Sequence, residues 1–340
     1  MSNHVWGNGD TQFFYSLTPE VILNSIETLG LEVTGRCLTL NSMENRVYEV
    51  EIEIAPELIT KPSDKFIIVK FYRPGRWSKE QIQEEHDFLL DLKENEISVI
   101  APLLFDNKSI FKLADYEIFF SLFPKQGGRI PQEMTIEQLE ITGRLLARMH
   151  NVGASRKSSH RLNINTQTFG EKNLAFLLDN NFLPIHLAKS YEKLVLDICN
   201  LSQPLFEKVT THRIHGDCHL GNIISRDNEG MFLIDFDDML VGPAVQDIWL
   251  VVPGRDQYAL QDRAILLEAY ESMRDFDYSS LKLIEPLRTL RYIHFSSWIA
   301  KRWDDPAFKN AFSHFGDSGY WEIQVNDLQE QYNLINANLN

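Results

Sequence analysis

Cysteine is scarce: Cys37, Cys199 and Cys218 are the only three in 340 residues. Their odd number and wide spacing argue against a disulfide scaffold, and no pair has the spacing of a metal knuckle. Cys218 is read as a small residue that fits beside Asp217. No apolar run approaches the roughly 20 residues that a membrane span needs. The opening stretch MSNHVWGNGDTQFF lacks the apolar segment behind basic residues that marks a secretory signal. The expectation is a soluble, cytoplasmic protein. Basic residues are also outnumbered, 33 Lys and Arg against 48 Asp and Glu, for a formal net charge of −15. That argues against nucleic acid as the partner, because phosphate-backbone binding wants clustered Lys and Arg. A basic peptide or a cationic small molecule stays open as a partner.

What is present is ordinary globular material, 44% hydrophobic and 24% charged, long enough for two lobes. The informative stretch is IHGDCHLGNIISRDNEGMFLIDFDD, from Ile214 to Asp238. Two short apolar runs, Ile223-Ile224 and Met231–Ile234, read as strands joined by a turn at Asn228-Glu229-Gly230. Polar residues stand at their ends: Asp217, Asn222 five positions later, and Asp235 where the second strand exits. A loop, a hairpin and a strand end can bring these three together. Two carboxylates and an amide oxygen are hard donors, the set that suits Mg²⁺ arriving with nucleotide phosphates. In phosphoryl transfer one aspartate takes the acceptor hydroxyl while an asparagine and a second aspartate hold the metal.

Elsewhere periodicity marks the elements. Pro19–Leu29 reads as a helix capped by Thr18, Leu38–Ile54 as a hairpin, and Phe66–Tyr72 as a strand with Lys70 inside an apolar run. On the helix Lys79–Leu92, Glu85 shares a face with Ile82, Leu89 and Leu92, so it points inward and wants a cation. Lys70 is the nearest. Glu84 competes for it but falls about 100° around the helix. Val99–Pro102 and Tyr116–Phe123 are expected to complete the sheet. Ser121–Pro124 then leaves it as a hinge whose backbone groups can bond an adenine edge. Beyond it come a helix from Thr135 to His150, a long loop over 153–170, and helices over Leu174–Leu183, Ala188–Leu205, Ile284–Trp303 and Trp321–Ile335. Asp247 is expected to accept N–H bonds from the loop around Asp217, with His150, His215 and His219 supporting that loop. Arg288, Arg291, His294 and Trp298 are candidates for the border of an acceptor pocket.

HGDCHLGN followed by LIDFDD resembles the catalytic loop and metal-binding segment of the aminoglycoside phosphotransferase and choline kinase group, relatives of the protein kinases. LNSMENRVYEV, IIVKFYRPGRW, EEHDFLLDL and GPAVQDIWL extend the likeness, over nearly the whole chain, to a bacterial serine/threonine kinase branch of that group. The resemblance implies an α+β, two-lobed protein-kinase-like fold. A small antiparallel sheet lobe with one key helix would span 1–120, a hinge 121–124, and a larger, mainly helical lobe 125–340. It implies ATP and Mg²⁺ as cofactors, with Asp217 and Asp235 catalytic and Asn222 and Asp235 on the metal. Lys70, paired with Glu85, would hold the nucleotide. Ser42 would cover the phosphates from the turn Asn41–Asn45, which lacks the glycines of a kinase phosphate loop. The implied partner is a protein with a Ser or Thr acceptor, served by a monomer that also phosphorylates itself and acts in stress response. The alternatives are a kinase for a small-molecule alcohol and a nucleotide-binding module without catalysis. Two residues depart from protein kinases, Gly216 where they carry Arg and Asp237 where they carry Gly, and no Ala-Pro-Glu segment follows. Asp237 is expected to solvate the cleft or to support a second metal.

Overall fold

A computed structural model describes Phe14, Leu17–Arg226 and Glu229–Leu339. The expectations for residues 1–12 and for Asn228 fall outside the described residues. The chain divides into two compact units, one made of residues up to Gln132 with Gly221–Asp237, the other of Glu133–Leu220 with the chain from Asp238 onward.

Among the described residues, the first unit is built on a five-stranded antiparallel sheet in the order β1-β2-β3-β5-β4. The strands are β1 (Val33–Leu40), β2 (Arg46–Ile52), β3 (Phe66–Phe71), β4 (Phe111–Lys112) and β5 (Phe119–Pro124). Successive side chains on a strand face opposite ways. Thus Ile67, Val69 and Phe71 enter a core with Ile22 and Ile26 of α1 (Pro19–Glu27), while Lys70 faces away from it. Helix α2 (Lys79–Glu94) starts at a reciprocal cap: Ser78 N–H donates to Gln81 Oε1 (3.0 Å) and Gln81 N–H to Ser78 Oγ (3.3 Å). The cap fixes the helix phase, and its buried face carries Ile82, Glu85, His86, Phe88, Leu89 and Leu92.

Two sequence expectations need correction here. Val99 makes an isolated parallel bridge to Leu233, and the sheet ends instead in β4, a two-residue strand with no period to read. The division into 1–120, a 121–124 hinge and 125–340 is not the one that packing shows. Ser121–Pro124 is strand, paired with Ile67–Lys70 in β3. The hairpin β7 (Ile223–Arg226) and β8 (Gly230–Leu233) belongs to the first unit. Leu233 N–H donates to Ser98 O (3.0 Å), Arg129 and Ser225 exchange backbone bonds of 2.9 and 2.8 Å, and Phe236 meets Phe88 edge to face. Those bonds draw Asn222 and Asp235 to the sheet rather than to the helices.

The second unit is mainly helical. It contains α3 (Ile136–Ser155), α4 (Lys172–Asp179), α5 (Ile185–Phe206), α6 (Val245–Val251), α7 (Gln257–Glu271), α8 (Ile284–Ala300), α9 (Pro306–Ala311) and α10 (Ser318–Leu339). A short antiparallel pair, β6 (His212–Ile214) with β9 (Leu240–Gly242), lies in the same unit. The stretch 153–170, expected as a loop, is shorter than that. Helix α3 runs on to Ser155, and Thr166–Glu171 forms a π-helical turn capped by Asn165, whose Oδ1 accepts from Thr168 N–H at 2.9 Å.

Helices α3 and α7 approach so closely at Gly143 that an added Cβ would lie 2.2 Å from Leu266 O and 3.1 Å from Tyr270 N. Backbone cannot withdraw as a flexible side chain can. Gly143→Ala is therefore expected to destabilise the protein by about 1–3 kcal/mol, the usual cost of overpacking. Gly127→Ala, at a glycine with open space around it, should cost far less. Denaturant midpoints of the two variants make the check, and equal midpoints would contradict the packing.

Candidate active site

The first unit gathers five of the six candidate residues. Lys70 Nζ lies 2.7 Å from Asp237 Oδ1 and 3.6 Å from Glu85 Oε1. All three are buried, Glu85 at 1% exposure and Asp237 at 4%. Burial alone would strip the lysine of its proton. The carboxylates of Asp237 and then Glu85 outweigh that and raise its pKa, so the ammonium stays charged. The choice of Glu85 over Glu84 as a partner of Lys70 agrees with the helix phase. The expectation that Asp237 solvates the cleft does not hold, because its carboxylate is paired with Lys70 and also with the Arg76 guanidinium. It is buried against cations, not solvating a cleft.

Ser42 lies in the β1–β2 turn, where its Oγ accepts from Asn45 N–H at 3.3 Å. The turn is held from below by the connection after β3. Arg73 Nε donates to Glu44 O (2.9 Å) and pairs with Glu44 Oε1 (3.1 Å), while Arg73 N–H donates to Asn45 Oδ1 (3.1 Å). Side-chain and guanidinium bonds fix the shape of this turn, which has no glycine.

Asn222 is buried and Asp235 exposed. Ile234 N–H donates to Asn222 O at 3.0 Å, so the segments bearing the two residues run side by side. Asp235 adopts φ +60°, the left-handed region that Asp tolerates better than most residues. Such strain at a strand exit is common where a side chain must be aimed. Among the described residues no group of three or more His, Cys, Asp or Glu forms a metal site. One amide oxygen and one carboxylate fit a cation of the Mg²⁺ kind, which takes one or two carboxylates and fills its shell with water and phosphate oxygens.

Asp217 belongs to the second unit, on the loop that follows β6. Asp247, at the start of α6, fixes that loop: its Oδ2 accepts from His215 N–H and its Oδ1 from Gly216 N–H, both at 2.9 Å. His150 Nε2 reaches the same Oδ2 at 3.0 Å, and its Nδ1 meets Tyr270 OH at 2.9 Å. Asp217 N–H in turn donates to His215 Nδ1 at 3.3 Å. The supporting roles read from sequence for Asp247, His150 and His215 match these bonds. Gly216 has φ +84°, and a Cβ there would meet Asp238 O at 2.4 Å. No side chain fits, which explains the missing arginine.

The Asp217 carboxylate pairs through Oδ1 with Arg291 Nη1 (2.6 Å), and its Oδ2 lies 3.4 Å from His219 Nε2. Burial pushes its pKa up, but the His219 hydrogen bond and the Arg291 charge prevail and hold it well below the usual carboxylate range. Next to it, burial and the Asp247 and Asp217 charges push the Cys218 thiol up, so it stays protonated and unreactive. Of the residues suggested for an acceptor pocket, Arg291 bonds Asp217. Arg288 instead pairs with Glu285 and donates to Pro253 O, and His294 stacks on Phe169. Sequence reasoning missed Arg73, Arg76 and the Asp237 pairing. The signal was there in RPGRW: two arginines in a short connection between a buried strand and a buried helix face.

The first unit thus holds a buried, carboxylate-paired lysine and an Asn–Asp segment, and the second an aspartate on a loop fixed by Asp247. The profile of the phosphotransferase enzyme family matches residues 39–284, and the chain belongs to that family. It is 34% identical over 329 residues to stress response kinase A of Escherichia coli (strain K12), covering 96% of each chain. The same figures relate it to serine/threonine protein kinase RdoA of Salmonella typhimurium (strain LT2). Amicoumacin kinase hAmiN in complex with AMP-PNP, Ca²⁺ and Ami superposes with a TM-score of 0.68 at 18% identity, over 90% of this chain and 94% of that one. The microcompartment-associated aminopropanol kinase gives 0.63 at 18%, over 90% and 98%. At such identity these two speak for the fold, a kinase-like one with an antiparallel sheet unit and a helical unit. Among the described residues no helix is long and apolar enough to cross a membrane.

Asp247→Asn exchanges one acceptor oxygen for an amide NH₂, a donor that would face backbone N–H groups. It should lower unfolding free energy by about 1–3 kcal/mol, the cost of leaving buried donors unmet. Denaturant unfolding reads this, and wild-type stability would contradict the pinning of the loop by Asp247.

Proposed function

We propose that this chain transfers the γ-phosphoryl group of ATP to the hydroxyl of Ser or Thr in protein, including its own. The observation that carries the chemistry is the Lys70 ammonium, kept charged in a buried setting by carboxylates. Few uses other than an anionic ligand repay the desolvation of so many charges. Protein as acceptor is supported by the relative described as a serine/threonine protein kinase, alike along 96% of this chain.

Bound magnesium nucleotide would supply the phosphoryl group and the cation that offsets charge on it. The chain's part is then positioning. Lys70, oriented by Glu85, holds phosphate oxygens, and Ser42 with the amides of its turn covers them. Asn222 and Asp235 offer oxygens to the metal. Asp217 orients the acceptor hydroxyl, and Oδ2, with its longer 3.4 Å contact to His219, receives the proton. A carboxylate held at low pKa is a weak base. It suits a loose transition state in which the proton leaves late and orientation counts for most. The protein would act as a cytoplasmic monomer in stress response.

A second reading, transfer to a small-molecule alcohol, is favoured by the solved kinases that share the fold, named for amicoumacin and aminopropanol. Incubation with γ-labelled ATP separates the two. Label on the chain itself and on a generic basic protein supports the first; label confined to an aminoglycoside or amino alcohol supports the second. Binding of nucleotide without transfer to any acceptor would overturn both.

Asp217→Ala should cut transfer by about 10²–10⁴-fold, the usual worth of a positioned acid–base group, with nucleotide affinity unchanged. Transfer at the wild-type rate would refute the assignment. Asp235→Ala should weaken nucleotide binding when Mg²⁺ is present and not when EDTA is. Calorimetric titration in both buffers reads the difference, and unchanged affinity in Mg²⁺ contradicts its role.

A further inference from the structure

The mechanism leaves four buried or nearly buried charges unused: Glu44, Arg73, Arg76 and Asp237. They form one network with Lys70. Asp237 lies 2.7 Å from Lys70 Nζ and pairs on its other side with Arg76. Arg76 Nη1 lies 3.8 Å from Glu44 Oε2, and Glu44 is also held by Arg73 Nε at 3.1 Å. Glu44 is part of the turn that carries Ser42. A continuous line of charge pairs therefore runs from the lysine expected to meet phosphate to the turn expected to cover it.

Lys70 is closer to Asp237 than to Glu85, 2.7 against 3.6 Å. An ammonium has three donors in a compact head. Two carboxylates already share it, so a phosphate oxygen arriving there must compete with the nearer one, Asp237 at 2.7 Å. Desolvation makes an unpaired buried ammonium costly, so something must hold Lys70 before the nucleotide does.

We propose that Asp237 is the placeholder for nucleotide phosphate: it holds Lys70 in the nucleotide-free protein, yields it to the phosphates, and is then kept by Arg76. This rests on the reading that Lys70 holds phosphate. Because Arg76 also faces Glu44, the exchange is felt at the Ser42 turn, which can then settle on the phosphates. Asp237 is thus a positioning residue that sets nucleotide affinity, and its carboxylate competes with the ligand. A competitor inside the site lowers apparent affinity by the free energy of the contact that must be broken.

The test is titration of a fluorescent ATP analogue in EDTA, where no metal confounds the charge balance. Asp237→Asn keeps the shape and removes the competing charge, and it should bind the analogue roughly fivefold or more tightly, the lower range of such couplings. Equal or weaker binding overturns the proposal. The Lys70→Met background separates displacement from simple repulsion. There Asp237→Asn should bring no gain, and a gain of the same size overturns the proposal. Lys70→Met alone probes the layer beneath. If it binds as tightly as the native chain, Lys70 holds no phosphate and that reading falls with the proposal. If it binds weakly while Asp237→Asn brings no gain, only the placeholder falls. Should Asp237→Asn fail to fold, the native chain crystallised with an ATP analogue decides. Lys70 and Asp237 separated beyond about 4 Å, with the Arg76 pair intact, supports the exchange; the pair retained with nucleotide bound overturns it.

Discussion

A positive charge kept inside a protein is the constraint on which the first unit turns. Lys70 is on a central strand, away from the apolar core, and burial works against its proton. Glu85 and Asp237 restore the balance, and each is placed by a different element: a capped helix and the segment after a hairpin. The phase of α2 is set by the Ser78–Gln81 cap, and the hairpin is held by the Ser98 and Arg129 backbone bonds. A buried ion cluster of this kind is weak evidence of stability, since hydrophobic replacements often stabilise more. Its retention is better explained by what it can bind.

The second unit solves a different problem, that of holding an aspartate on a loop. Asp247 takes two consecutive backbone N–H groups, and His150 and Tyr270 extend the chain of bonds into the packing of α3 against α7. The left-handed Gly216, pressed against Asp238 O, turns the chain so that the next residue carries its carboxylate outward toward Arg291 and His219. The shape of the loop follows from the backbone donors that Asp247 accepts. The same logic explains how a kinase-like loop dispenses with the arginine of protein kinases.

Much of this was legible in the sequence where the pattern was local. Strand and helix periods marked β2, β3, α2, α3 and α8, and the phase of α2 distinguished Glu85 from Glu84. Asp217, Asn222 and Asp235 stood out as hard oxygen donors at strand and loop ends, and the segments of Asn222 and Asp235 do run side by side. The supporting part of Asp247 followed from a carboxylate in an apolar helix start. What the sequence hid depended on partners far along the chain. Asp237 meets Lys70 and Arg76 across more than a hundred residues, and no period announces such a pair. The two-residue β4 was too short to show. The assignment of 221–237 to the sheet unit came from backbone bonds at Ser98 and Arg129, which carry no side-chain signature.

The chemistry can be read from the destination of a single phosphorus atom. With ATP labelled at either the α or the γ position and the chain supplied with its own hydroxyls and a basic protein, label should pass to protein from the γ position alone. The linkage should be that of a phosphate ester, with ADP released in equal amount. Transfer of α label, which would mean that the whole nucleotide is passed on, would contradict the roles proposed for Lys70, Asn222, Asp235 and Asp217 in phosphoryl transfer.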